Sequence, residues 1–211
     1  MKDCDTLAPT IPSENRLGML LLVSGPSGSG KTTLCRRAAD ANIANYAISC
    51  TTRPPRPGEA HGNDYFFLSI KEFKEKIANG EFLEHAEVHG NFYGTLKSEV
   101  FTHIEDGRDV VMDIDVQGAD LIRNCEDPEI QLSLVELFVM PANEEELHKR
   151  LTGRGTDSDE VIETRMKNSL EEIQHWTKYN YCILSSDRET DYQKFQAILK
   201  AESLQVSRII H

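Results

Sequence analysis

Four short apolar runs punctuate the chain. Leu20-Leu21-Leu22-Val23 stops at a Gly/Ser cluster. Val110-Val111-Met112-Asp113-Ile114-Asp115 ends on two acids. Leu134-Val135-Glu136-Leu137-Phe138-Val139 is stopped by Pro141, and Tyr181-Cys182-Ile183-Leu184 follows. Continuous apolar runs of this length, bounded by turn residues, predict strands buried on both faces of a parallel sheet. Between them the period changes. Leu34, Ala38 and Ala41 recur at i, i+4 and i+7. Ile162, Met166, Leu170, Ile173 and Trp176 form the stripe of a long helix, with Asp157 and Glu160 as its expected capping box. Strands alternating with helices predict an α/β fold.

Two segments depart from this rhythm. Residues 49–98 are rich in Gly, Pro, aromatic and polar residues. Short runs such as Tyr65-Phe66-Phe67-Leu68 predict a small, partly β lobe. Residues 141–168 are highly charged and carry Gly153 and Gly155, and they read as a mobile helical flap. The organisation expected is therefore a core of 18–48, 99–140 and 169–211, a lobe at 49–98 and a lid at 141–168. Residues 1–17 hold acids and prolines and no apolar h-region, so a loose tail is expected rather than a secretory signal.

Charge narrows the possible partners. The 211 residues carry 23 Lys+Arg against 35 Asp+Glu, a net charge of −12. A general nucleic-acid binder needs a basic face to displace counterions, so the charge argues against that class, though not against a small anion pocket, which depends on local charge. No run approaches the roughly 18 apolar residues of a membrane span. Cys4, Cys35, Cys50, Cys125 and Cys182 are scattered, with no C-x-x-C pair. Reduced thiols in a cytoplasm are expected, not a disulfide framework or a zinc site.

The chemistry begins after the first run. Gly25-Pro26-Ser27-Gly28-Ser29-Gly30-Lys31-Thr32 matches G-x-x-x-x-G-K-[ST] in full, with a strand before it and a helix after. Glycines let the backbone curl so that successive N–H groups face phosphate oxygens. The following helix adds its positive end. Lys31 reaches toward β/γ-phosphates, and the Thr32 hydroxyl suits Mg²⁺. Asp113 and Asp115, two apart at the end of a strand, would share one face at the carboxyl edge of the sheet, where ligands collect in such folds. Buried carboxylates there need a metal, an arginine or a base edge as partner. Arg53 and Arg56 sit three apart in a proline-stiffened loop, a pairing suited to a phosphate monoester. Pro54-x-x-Pro57 beside arginine also fits a polyproline ligand.

Further motifs follow in order. They are Ser49-Cys-Thr-Thr-Arg53-Pro-Pro-Arg56-Pro-Gly-Glu59, Gly62-Asn-Asp-Tyr65-Phe-Phe, Glu81-Phe-Leu-Glu84, Gly90-Asn-Phe-Tyr93-Gly-Thr95, Asp113-Ile-Asp115-Val-Gln-Gly118 and Arg150-Leu-Thr-Gly-Arg154-Gly-Thr156. Over about residues 19–200 the chain resembles the guanylate kinases. The resemblance implies a P-loop core with an inserted mixed α/β GMP-binding lobe and a helical lid. It implies phosphoryl transfer from Mg-ATP to GMP, giving ADP and GDP, within purine nucleotide metabolism.

By resemblance, ATP is held by residues 25–33, Thr33 included, and by Arg150 and Arg154. GMP is held by Ser49, Arg53, Arg56, Tyr65, Glu84, Tyr93, Thr95, Asp113 and Asp115. Glu84 and Asp115 would accept from guanine N1 and N2, with Ser49 and Thr95 at O6. Lys31, Arg53, Arg154 and Arg165 would be catalytic. Mg²⁺ would be the cofactor, on Thr32 and, through water, Asp113. Read as residues alone, Glu84 is an exposed acid of the 81–87 run, and Arg150 pairs with Glu146 at i, i+4. For Tyr65 and Tyr93 the alternative is core packing, which is the better reading for Phe66 and Phe67. One departure is visible: the family usually shows Asn-Asp-Asp after the last strand, where this chain has Ser185-Ser186-Asp187. The alternatives are a non-catalytic phosphopeptide-binding module of the same fold and a P-loop kinase of a sugar phosphate.

Overall fold

A computed structural model describes residues 16–88, 90–152 and 159–209. Its centre is a five-stranded sheet. β1 (Leu20–Ser24) leads through the phosphate loop into α1 (Lys31–Asp40) and the short edge strand β2 (Asn45–Tyr46). The chain then builds a separate sheet from β3 (Cys50–Thr51), β4 (Phe66–Phe67), β5 (Phe82–Val88) and β6 (Asn91–Leu96), with α2 (Ile70–Ala78) between β4 and β5. It returns through α3 (Ser98–Ile104) to β7 (Val110–Asp113), then α4 (Val116–Arg123), α5 (Pro128–Ser133) and β8 (Leu134–Pro141). α6 (Glu144–Thr152) and α7 (Asp159–Ile173) precede β9 (Tyr181–Ser185), and α8 (Arg188–Glu202) and α9 (Val206–Ile209) follow it.

The large sheet runs β2-β7-β1-β8-β9, all parallel. β1 lies at its centre and is apolar from Leu20 to Val23, with the buried Ser24 at its end, because both faces are covered. Met19, Leu21 and Val23 pack with α1 and α8, while Leu20 and Leu22 pack against α3, α4 and α5. Each fully buried side chain contributes roughly 1.5–3 kcal/mol. β9, at the edge, behaves differently: Ile183 and Ser185 are buried while Cys182 and Leu184 are exposed. The small sheet is mixed, in the order β4-β3-β6-β5. Its core stacks Phe73 of α2 on Phe82 and Phe92, with ring centroids 4.3 and 5.5 Å apart. A Ser69–Glu72 capping box starts α2.

Several local expectations are corrected. The second run leaves the sheet at Asp113, two residues early, because Asp115 caps α4. Ala41 lies beyond α1 and is exposed. Trp176 has left the long helix for a short 3₁₀ turn and is 44% exposed. Phe66 joins the lobe core, but Phe67 points to the other face of its strand, beside Tyr65. Arg16 and Leu17 are not tail: Arg16 makes a two-pronged bond to Asp109 at 2.7 and 2.8 Å, and Leu17 N–H donates to the Arg208 carbonyl. The boundary expected at 168 falls inside α7. Gly153, Arg154, Gly155 and Asp157 lie outside the described residues, as does Cys4. Cys35, Cys50, Cys125 and Cys182 are free thiols.

Candidate active site

The loop after β1 requires glycine at its first position. Gly25 has φ of 141°, and a Cβ there would lie 1.9 Å from the Val139 carbonyl oxygen. Gly30, at φ 97°, is the N-cap of α1, and no side chain caps that helix. The first-turn amides are therefore available to an anion. Lys31 folds back over the loop, donating to the carbonyls of Gly25 at 2.5 Å and Pro26 at 3.1 Å. Burial pushes its pKa down, while the charges of Asp113, Glu172 and Asp115 oppose that shift. The buried Ser29 hydroxyl has no hydrogen-bond partner among the described residues.

Thr32 Oγ1 donates to Asp113 Oδ2 at 2.5 Å. The other oxygen of Asp113 accepts from the Tyr46 hydroxyl of β2. The parallel pairing of β7 with β1 and β2 brings these three residues together, because all three strands end at the same edge. On the far side of the loop lies a cavity of about 770 Å³, lined by residues 28–34, Arg37, Arg150, residues 185–188 and Asp191. Arg150 does make the expected pair with Glu146, at 2.8 Å, and also donates to Ser185 Oγ at 2.8 Å. Ser185 in turn donates to the buried Asp191, which also accepts from the Ser186 N–H. The departure at Ser185-Ser186 is thus built into a hydrogen-bonded wall.

The lobe carries the arginine pair. Arg53 does not present a free fork, contrary to the simple reading of its loop. Its two terminal nitrogens each donate to Glu59 at 2.9 Å, and the same carboxylate accepts the Arg56 N–H at 2.7 Å. Arg53 holds Glu59 below the usual carboxylate range. The Arg53 guanidinium lies 5.4 Å from the Tyr65 ring centroid, and Tyr65 and Tyr93 meet edge-on at 6.3 Å. Both tyrosines therefore line this group rather than the lobe core. Burial, and then the Asp113 charge, raise the Tyr65 pKa. Arg36 of α1 donates to Asp64 at 2.9 Å and ties the lobe to the helix that follows the phosphate loop.

Beside it lies a second polar group. Ser49 Oγ and Thr95 Oγ1 are 3.0 Å apart, and Thr95 stands opposite Glu84 in the β5–β6 ladder. Glu84 is 9% exposed, which overturns its reading as a surface acid. Burial pushes its pKa up to about 7; the hydrogen bond from Thr95 opposes this and the Asp115 charge adds to it. Asp115 is exposed, not buried, and does not share a strand face with Asp113. It caps α4 by accepting the Gly118 N–H at 2.7 Å.

The structure thus groups Lys31, Thr32 and Asp113 at the loop, Arg53, Tyr65, Tyr93 and the Arg56 N–H around Glu59 in the lobe, and Ser49, Glu84 and Thr95 on the lobe sheet. Thr33 is exposed near the start of α1. Arg165 lies on α7, two turns before Glu172 on the same face. Three contributors had no sequence signal of their own: Tyr46, Glu172 and Asp191. Glu59 was visible in its motif, and only its role was not.

Comparison with known proteins shows the family. The sequence profile of guanylate kinase matches residues 18–202. A guanylate kinase of Fusobacterium nucleatum is 50% identical over 173 residues, 82% of this chain and 91% of that protein. One from Paramagnetospirillum magneticum is 42% identical over 204 residues, 96% and 93% of the two chains. The crystal structure of guanylate kinase from Anaplasma phagocytophilum superposes with a TM-score of 0.74 at 31% identity, covering 92% of this chain and 90% of that one. With the loop, the paired lobe arginines and the buried acid all on one fold that matches along nearly its whole length, this chain belongs to the guanylate kinase family.

Proposed function

We propose that the protein transfers the γ-phosphoryl group of ATP to GMP, releasing ADP and GDP, as a step of purine nucleotide metabolism. The observation that carries the guanine assignment is the buried Glu84, paired across its ladder with Thr95, whose hydroxyl lies 3.0 Å from that of Ser49. Guanine presents N1–H and N2–H₂ as donors, and a carboxylate is an acceptor only. Glu84 and Asp115 read those donors, with Ser49 and Thr95 donating to O6. Adenine places an acceptor at N1 and has no N2 amine, so it meets like partial charge.

The GMP phosphate is held by Arg53, Arg56, Tyr65 and Tyr93. Glu59 leaves Nε–H and one N–H of the far terminal nitrogen of Arg53 for that contact. Residues 25–33 cradle the ATP phosphates. The base and ribose lie in the cavity beside Arg150 and Ser186. A GMP phosphate oxygen attacks the γ-phosphorus in line, and the bond to the bridging oxygen of ADP breaks. The transition state is loose, so positioning and positive charge supply the catalysis. Lys31, Arg53, Arg154 and Arg165 provide that charge. The 49–98 lobe carries GMP, and the 141–168 segment closes over the phosphates and excludes water.

Among the described residues no cluster of three His, Cys, Asp or Glu side chains would cage a metal. Mg²⁺ does not need one, since it keeps several waters and rests on one or two protein oxygens plus phosphates. The Thr32 hydroxyl and Asp113 carboxylate are hard oxygen donors at the right edge of the sheet, and they fit it. When bound with ATP, Mg²⁺ would neutralise charge on the β- and γ-oxygens. No described helix is long and apolar enough to cross a membrane, and we place the activity in the cytoplasm, with no nucleic-acid partner.

A coupled assay of ADP release with GMP, AMP, CMP and UMP tests the reading. GMP should be the substrate, with AMP rejected by roughly 10⁴–10⁵-fold in kcat/KM, the scale for a polar site left unpaired. Equal turnover of AMP, or none of GMP, would overturn it.

A further inference from the structure

Asp113 is gripped from both sides. Thr32 Oγ1 donates to one carboxylate oxygen at 2.5 Å, and the Tyr46 hydroxyl donates to the other. Tyr46 sits on the two-residue edge strand β2, 67 residues from Asp113, and is aimed by the parallel pairing of β2 with β7. The tyrosine is itself held. The Arg36 guanidinium lies 5.2 Å from its ring centroid, and Arg36 pairs with Asp64 of the lobe at 2.9 Å. The ring therefore has little freedom to swing its hydroxyl away.

A carboxylate at the end of a strand has a free χ2 torsion, and one hydrogen bond does not fix it. Two donors on opposite oxygens do. We infer that Tyr46 is a positioning residue for phosphoryl transfer. By occupying one oxygen of Asp113, it turns the other toward Thr32 and the phosphate loop. Tyr46 acts through Asp113, the group its hydroxyl bonds. The inference rests on the function proposed above, with Asp113 oriented toward Mg-nucleotide.

The experiment uses the full-length protein with Tyr46→Phe, which removes only the hydroxyl. Three quantities are read: steady-state kcat and KM for GMP; ADP affinity by calorimetry with and without Mg²⁺; and the same kinetics in an Asp113→Ala background. Tyr46→Phe should lower kcat about tenfold, the scale of one hydrogen bond to a charged group, with GMP KM within about twofold. The gain in ADP affinity on adding Mg²⁺ should shrink by about five- to tenfold, and metal-free ADP binding should hold. In the Asp113→Ala background, Tyr46→Phe should change kcat by less than about twofold, because there is nothing left to position. Multiplying effects in the double variant would overturn the inference, as would an unchanged kcat and Mg²⁺ gain, or an equal fall in metal-free binding. If Asp113→Ala fails to fold, the Mg²⁺ gain of Tyr46→Phe decides alone. Wild-type protein that does not phosphorylate GMP would instead overturn the proposed function.

Discussion

Glu84 offers the sharpest test, because its burial links binding, pH and stability. Its pKa is pushed from the ordinary 4.5 up to about 7, chiefly by burial and further by Asp115. If the carboxylate reads guanine, GMP kcat/KM should follow its ionised fraction in the free enzyme. That fraction is about 0.9 at pH 8 and about 0.1 at pH 6, so kcat/KM should fall about tenfold between them. The GMP phosphate titrates near ~6 as well. Glu84→Gln removes the carboxylate and leaves the phosphate, so the ratio of the two profiles isolates Glu84. The ratio of wild type to Glu84→Gln should rise about tenfold from pH 6 to 8.

The same group sets a stability signature. A raised carboxyl pKa means that the empty fold loses stability as pH rises from about 4.5 to about 7, with no further loss above. At about 1.4 kcal/mol per tenfold change in protonation, the loss is ~3 kcal/mol for so buried a group. Glu84→Gln should therefore melt above wild type at pH 8, by roughly 6–12 °C for a chain of this size. At pH 5 the gap should close to below about 1 kcal/mol. Differential scanning calorimetry of the unliganded proteins at both pH values measures it. A flat kinetic ratio together with equal melting at pH 8 would refute both the burial argument and the guanine contact.

Three further outcomes are expected. Lys31→Met should lower kcat by about 10²-fold or more, the cost of one transition-state donor, while thermal melting stays within a few degrees; near-normal turnover in the coupled assay would remove Lys31 from the mechanism. Glu59→Ala frees the Arg53 fork from its only carboxylate pair in this loop, and GMP KM should rise about tenfold with kcat little changed; a lower KM would mean that Glu59 competes with phosphate instead of positioning the arginine. Asp109→Ala deprives Arg16 and the Met19 N–H of their acceptor beside β1, and denaturant titration should show a loss of about 2 kcal/mol.

Much of the fold was readable along the chain, because its signals are local. An apolar run from Leu20 to Val23, a glycine loop and a following helix are coded within residues 20–40, and each piece depends only on its neighbours. Continuous apolar runs marked β7 and β8 for the same reason, since burial on both faces leaves no polar alternation to hide them; the run of β9 marked a strand, but as an edge strand it is covered on one face only. The phosphate loop and the arginine pair were legible as motifs. Tertiary structure decided who meets whom. Glu84 in an acidic run looks solvated until β5 pairs with β6 and packs against α4. Asp115 looks like a strand residue until the chain turns and its side chain caps α4. Arg53 looks free until Glu59 closes on it. Tyr46 carries no motif at all, and only the pairing of β2 with β7 brings its hydroxyl to Asp113. Periodicity records which face of an element is apolar, not which element will cover it. Burial, and with it the pKa of Glu84, is a property of that covering.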